Sequence, residues 1–325
     1  MARYQMGVDL GGTNTRVALV DEELKIRRRL QERTPKNDGQ QIINTIIRLC
    51  KELLQQEGLS LEEISSLGVA APGIVDNGRG IVVYANNLNW VNAPLRETIT
   101  RELPLPFYLD NDANAAALAE ALVGVNQGLQ DSIVITLGTG VGGGVISQGK
   151  LLHGGYQAGG ELGHMVIIAG GPLCTCGRRG CWETYSSAPA LQRMARAAAQ
   201  EDSSSGLWTA CGNNLEQLTP KQVFLLAEQG DKAASSVIER YLALLATGIV
   251  NLVGIFKPEQ IAIGGGIGGQ GERITQPLQQ AVNLESYGAK YLPNTKVVST
   301  ALGGDSGLIG AALLGKYYEG GITLG

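Results

Sequence analysis

Two segments of this chain repeat one pattern. Val8 to Leu19 reads V-D-L-G-G-T-N-T-R-V-A-L, and Ile135 to Ile146 reads I-T-L-G-T-G-V-G-G-G-V-I. In each, an apolar run enters a glycine turn and a second strand-like run leaves it, so both read as β-hairpins. The tip of the first offers backbone N–H groups and hydroxyls to an anion, and Asp9 sits where it could hold a magnesium ion directly or through water. Gly-Gly and Thr-Asn are equally the residues of a plain hairpin turn. One unit used twice narrows the choice. Two hairpins, one on each of two domains, would clamp a polyphosphate from both sides across a cleft.

Gly138, Gly140 and Gly143 also satisfy G-x-G-x-x-G, with Glu161 downstream. A dinucleotide fingerprint needs a helix after the glycines, and here a strand follows. Gly264 to Gly269 matches again after a strand at 260–263. A helix follows it but no further strand–helix–strand pattern is legible, so it reads as a nucleotide-contacting turn. A dinucleotide oxidoreductase rests on these matches alone. No G-x-x-x-x-G-K-[ST] occurs, which removes the P-loop enzymes.

The 325 residues suffice for two domains. A net charge of -4 gives no basic field for nucleic acid or anionic membrane, so phosphate must be bound locally. Residues 1–5 run into a strand pattern without an apolar signal segment, and no run reads as approaching membrane-spanning length. A cytoplasmic protein is expected.

The stretch 160–183 holds three of the five cysteines and one of the two histidines. His164, Cys174, Cys176 and Cys181 supply an imidazole and three thiolates, the ligand set of a closed tetrahedral zinc site that holds a loop and leaves no position for a reacting water. Reduced, half-buried thiols are the plainer alternative. The tight C-x-C-x4-C spacing with its glycines favours zinc. Glu161 and Glu183 flank the knot, which would fix both carboxylates. His153 has no partner at ligand spacing and reads as an ordinary polar residue.

Helices are expected over 41–56, 113–123, 188–200, 219–229, 231–256 and 308–318, and strands over 4–10, 15–20, 67–71, 106–109, 132–137, 145–147 and 260–263. The segment 84–90, Y-A-N-N-L-N-W, reads as irregular, with asparagines for sugar hydroxyls and Trp90 as a face for a ring. Asp110-Asn111-Asp112 closes a strand and opens a helix, where aspartate is either ligand chemistry or an ordinary N-cap. The segment 201–214 reads as a surface insertion, with no role for Cys211.

Taken together, the motifs resemble the bacterial ROK family of sugar kinases, and within it the ATP-dependent glucokinases. They are D-L-G-G-T-N at 9–14, A-P-G at 71–73, N-L-N-W at 87–90, D-N-D-A-N at 110–114, T-L-G-T-G-V-G-G-G at 136–144, E-L-G-H at 161–164, C-T-C-G-R-R-G-C-W-E at 174–183 and G-G-G at 264–266. The resemblance implies an α/β, actin-like (ribonuclease H-like) fold of two domains around a cleft. It places 1–112 with 305–325 in a small domain and 113–304 in a large one. It implies transfer of the ATP γ-phosphoryl group to the 6-hydroxyl of glucose, with Asp112 as general base, overriding the local capping preference. Gly73, Asn87, Asn111, Glu161, His164 and Glu183 would bind the sugar. Gly11, Gly12, Thr13, Gly138, Thr139, Gly140, Gly264 and Gly265 would contact the nucleotide. Structural zinc, magnesium with ATP and a homodimer complete what it implies. Kinases for mannose, fructose or an N-acetylhexosamine, and non-catalytic sugar-sensing relatives, share the motifs. With eight residues ahead of Asp9 and a negative net charge, a DNA-binding role is not expected.

Overall fold

The computed structural model describes residues 3–36, 38–320 and 324. In chain order its strands are β1 (Tyr4–Leu10), β2 (Asn14–Val20), β3 (Ile26–Arg33), β4 (Ile64–Ala71), β5 (Ile74–Asp76), β6 (Ile81–Ala85), β7 (Trp90–Ala93), β8 (Phe107–Asn111), β9 (Ser132–Leu137), β10 (Val141–Ser147), β11 (Lys150–Leu151), β12 (Gln260–Gly264) and β13 (Lys296–Ser299). The helices are α1 (Gly39–Glu57), α2 (Leu95–Glu102), α3 (Asp112–Val123), α4 (Glu183–Ser186), α5 (Ala188–Glu201), α6 (Gly206–Ala210), α7 (Pro220–Glu228), α8 (Lys232–Phe256), α9 (Gly265–Gly268), α10 (Glu272–Glu285) and α11 (Ser306–Tyr318).

The chain divides into two compact units, one of Met1–Val134, Gly144–Gly160 and Ala301–Gly325, the other of Ile135–Gly143 and Glu161–Thr300. The division differs from the one the sequence implied, because 113–134, 144–160 and 301–304 fall with the first unit. The reason is visible in α3. Its buried Glu120 accepts hydrogen bonds from the backbone N–H groups of Val125, Ala301 and Leu302 at 3.0, 3.2 and 3.0 Å, tying α3 to the segment that leads into α11.

The first unit is built on a sheet of order β3-β2-β1-β4-β8. β1 pairs antiparallel with β2, and β2 with β3, while β4 runs parallel to β1 and to β8. Three antiparallel strands followed by two parallel ones is the ribonuclease H-like arrangement. On α1 the apolar residues Ile42, Ile43, Ile46, Ile47, Cys50, Leu53 and Leu54 recur at helical spacing and are buried. Asp38 caps the helix by accepting from the Gln41 N–H at 2.9 Å. β5, β6 and β7 form a separate antiparallel sheet, so 84–90 is not irregular as expected but two strand ends around one short turn. Trp90 is buried there, its indole against Gly39, and offers no face to a sugar ring.

The second five-stranded sheet has the order β11-β10-β9-β12-β13, and the division between the units runs through β9 and β10. β12 and β13 are parallel with α10 between them, so the Gly264–Gly269 turn does open a strand–helix–strand unit. The short β13 concealed it. The segment 201–214 is likewise not a surface insertion: it carries α6, and Leu207 and Cys211 are buried. The sequence expectation about spanning length also needs correcting. α8, with 25 residues and a mean hydropathy of 1.5 over its most apolar stretch, is long and apolar enough to cross a bilayer. It packs instead against α4, α5, α7 and α10, with Trp182 seated over Gly248.

α11 lies against α3, β1 and β4, and its small residues set how closely. A methyl group on Gly310 would land on the carbonyl oxygen of Ala115, backbone that cannot rotate away. We predict that Gly310→Ala destabilises the protein by about 1–3 kcal/mol through overpacking. Gly254→Ala on α8, with open space at its Cβ, should instead stabilise by up to about 1 kcal/mol. Urea unfolding checks both, and a neutral Gly310→Ala would refute this packing account.

Candidate active site

In the first unit the β1–β2 turn closes with the Gly11 N–H donating to Asn14 O at 2.9 Å, and the Thr34 hydroxyl donates to Gly11 O at 2.7 Å. Gly12 packs beside the Asn87 side chain, and the two line one recess together with Pro35, Lys36 and Leu88. The structure therefore brings the tip holding Gly11, Gly12 and Thr13 up to the expected sugar ligand Asn87. Asp9 lies directly opposite Arg16 in the hairpin register and is ion-paired to it. Arg16 also donates to Gly304 O at 2.5 Å. Burial pushes the Asp9 carboxyl above its ordinary 3.8, and the charge and hydrogen bond of Arg16 oppose that rise. The sequence reading missed Arg16, although two residues flanking a turn on one hairpin face are legible as partners.

The expected base sits where β8 passes into α3. Asn111 is the N-cap, its side-chain oxygen accepting from the Ala113 and Asn114 N–H groups at 2.8 and 3.3 Å. Asp112 is the first residue of the helix and accepts from Ala113 N–H at 2.9 Å. The capping role that aspartate could have filled belongs to its neighbour. Asn111 also donates to Gly73 O at 3.1 Å. Gly73 has a φ of 84°, and a side chain there would collide with the carbonyl of Tyr84. Gly73, Asn111 and Asp112 thus form one cluster.

In the second unit the β9–β10 turn is closed by Gly138 N–H donating to Gly140 O at 3.0 Å. Gly265, with a φ of 78°, is packed so tightly on Leu137 that a Cβ would strike the backbone. Gly138, Thr139 and Gly140 are therefore held beside Gly264 and Gly265. Glu183 accepts from Val141 N–H at 3.0 Å and lies directly over Gly140. Burial raises the Glu161 carboxyl above its usual range, with His164 drawing it down and Glu183 adding to the rise, so both lie within electrostatic reach of Glu161.

His164, Cys174, Cys176 and Cys181 converge, their ligand atoms all within 4.8 Å. Cys174 Sγ is 3.5 Å from His164 Nδ1, and Cys176 Sγ is 3.7 Å from Cys181 Sγ. A tetrahedral zinc with bonds of about 2.3 Å to sulfur and 2.0–2.1 Å to nitrogen requires sulfurs about 3.7–3.8 Å apart and sulfur to nitrogen about 3.5 Å. These residues could hold such an ion. The Glu183 carboxylate lies 4.0 Å from Cys174 Sγ, beside the cluster.

The ROK family profile matches residues 5–317. The chain is 35% identical over 326 residues to a glucokinase of Halalkalibacterium halodurans, covering 99% of this chain and 98% of that one. A crystal structure of a ROK family glucokinase from Streptomyces griseus, in complex with glucose and AMPPNP, matches with a TM-score of 0.85 at 33% identity, over 95% of this chain and 98% of that one. The xylose repressor of Caldicellulosiruptor bescii is 30% identical over 256 residues, 78% of this chain and 63% of the repressor.

The clustered ligands yield a direct expectation: one metal ion per chain by elemental analysis. Cys181→Ser should lose about half or more of it, and chelation should lower the thermal midpoint of the wild type by several degrees. Full-length protein purified without metal, and indifferent to chelation, would leave the four residues as plain thiols and an imidazole.

Proposed function

Because the chain belongs to the ROK family, we propose that it is an ATP-dependent glucokinase, forming glucose 6-phosphate and ADP. The observation that supports this most is the β8–α3 turn. There Asn111 caps α3 and Asp112 stands as the first residue of the helix, beside the Gly73–Asn111 cluster. Its fold is the actin-like, ribonuclease H-like α/β class.

In this reading the glucose 6-oxygen attacks the γ-phosphorus as its proton passes to the Asp112 carboxylate. The bond from phosphorus to the β–γ bridging oxygen breaks, and ADP leaves with that electron pair. The proton leaves only as the new bond forms, so the base needs no raised pKa. Asn87, Asn111, Glu161, His164 and Glu183 pair with sugar hydroxyls, where a mispaired buried group costs about 1–3 kcal/mol and so discriminates among sugars. Gly11 and Gly138 close the two turns with their own N–H groups, and the N–H groups of Gly12, Thr13, Thr139, Gly140, Gly264 and Gly265 neutralise phosphate charge. The domain boundary near 112 and 305 that the family resemblance implies is part of the same proposal.

Magnesium, bound with ATP, supplies further charge neutralisation. Asp9 is already paired with Arg16, which fits contact through water better than direct ligation. Zinc is the metal that the His164–Cys174–Cys176–Cys181 spacing suits, and held by these four residues it would orient His164 and steady Glu183. A homodimer in the cytoplasm is carried by the family resemblance.

Coupled kinetics with ATP and magnesium over glucose, mannose, fructose and N-acetylhexosamines test the assignment. Glucose should be turned over with the highest kcat/KM, and Asp112→Asn should lower kcat by about 10²–10⁴-fold while glucose binding persists. Turnover of another sugar alone would overturn the substrate, and an active Asp112→Asn would overturn the base.

A further inference from the structure

One residue before the Asn111 cap, the Asp110 carboxylate is fully buried. It takes four hydrogen bonds. Oδ1 accepts from the Asn111 N–H at 2.7 Å and from Asn114 Nδ2 at 2.9 Å. Oδ2 accepts from His153 Nε2 at 2.8 Å and from the Tyr318 hydroxyl at 2.7 Å. The donors come from four places: the turn itself, the first turn of α3, the segment after β11 and the last turn of α11.

His153 and Tyr318 meet each other as well, with the hydroxyl 3.1 Å from Nε2. Tyr318 stacks on Tyr108 of β8, with ring centroids 6.2 Å apart and planes 8° from parallel. The neighbouring Tyr317 hydroxyl accepts from Leu151 N–H at 3.0 Å, and the His153 carbonyl accepts from Gly159 N–H at 2.9 Å, closing the loop that runs on to Glu161. Burial draws the His153 imidazole down, but the hydrogen bond and charge of Asp110, joined by a backbone contact at Leu151, outweigh it and the net shift is upward. The Asp110 carboxylate thus favours the protonated imidazole, which donates to it through Nε2.

A buried carboxylate with donors from two helices and a loop fixes the chain around it from several directions. The two residues after it are the cap and the proposed base. We propose that His153 and Tyr318 are positioning residues for phosphoryl transfer: through Asp110 they hold the Asn111–Asp112 turn in its reactive geometry. Neither touches the reacting atoms in this account. The proposal rests on the reading of Asp112 as base, since a displacement of about 1 Å at a reacting group can cost about 10²-fold in rate.

The test uses the full chain with Tyr318→Phe, which removes one oxygen, and with His153→Leu and His153→Gln, the last keeping an N–H donor. Rates are normalised to glucose-binding sites counted by calorimetry, so that lost fold does not register as lost rate. We expect Tyr318→Phe and His153→Leu to lower kcat per site by about 10-fold or more with KM for ATP within about 2-fold, and His153→Gln to recover most of the loss. Unchanged kcat per site in Tyr318→Phe, whatever happens to thermal stability, would make the cluster purely structural and overturn the proposal. If His153→Leu does not fold, Tyr318→Phe and His153→Gln still decide it. Asp112→Asn is run alongside: its retained turnover would remove the base reading, a failure distinct from cluster variants that keep full kcat beside an inactive Asp112→Asn.

Discussion

The Asp110 carboxylate is buried, and the geometry of the first unit's candidate site follows from satisfying it. Removing one partner from a buried, hydrogen-bonded charge costs about 3–5 kcal/mol, which holds its donors in register. Those donors reach from α3, α11 and the segment after β11. Because Asp110 pairs with Ala70 and Asn111 with Ala71 in the parallel ladder between β8 and β4, the sheet fixes the same turn from the remaining side. Asn111 then caps α3 and bonds to Gly73, and the position of Asp112 is a consequence of these constraints.

Close backbone approach is the second constraint. Gly73 beneath Tyr84, Gly265 on Leu137 and Gly310 on Ala115 are places where a Cβ would meet main chain. Each lies next to a motif: the Gly73–Asn111 cluster, the second glycine turn, or the helix pair α3–α11 behind Asp112. The glycines of these motifs therefore divide into two sorts. Some offer N–H groups at turn tips, and others let elements pack closely enough to hold those tips.

What was legible in the sequence followed short-range signals. The two hairpins, α1, α3, α8 and the cysteine knot carry their apolar period, caps or ligand spacing within a few residues. β3 did not, because I-R-R-R-L-Q-E-R has a largely exposed, charged edge-strand composition that lacks clean alternation. β13 was too short to register, and with it went the strand–helix–strand unit around Gly264–Gly269. Trp90 looked like a sugar platform from its asparagine neighbours, yet its burial is set by Gly39, fifty-one positions away in the chain. His153 was passed over for the same reason. Its partner Asp110 lies 43 residues away, and only the folded topology brings them to 2.8 Å.

The account stands on Asp112 facing the hydroxyl that becomes phosphorylated. A crystal structure of this protein with glucose and a non-hydrolysable ATP analogue measures that directly. The predicted result is an Asp112 carboxylate oxygen within about 2.6–3.2 Å of the glucose 6-oxygen, with that oxygen directed at the γ-phosphorus. A 6-hydroxyl paired with some other group, and Asp112 turned away from the sugar, would contradict it.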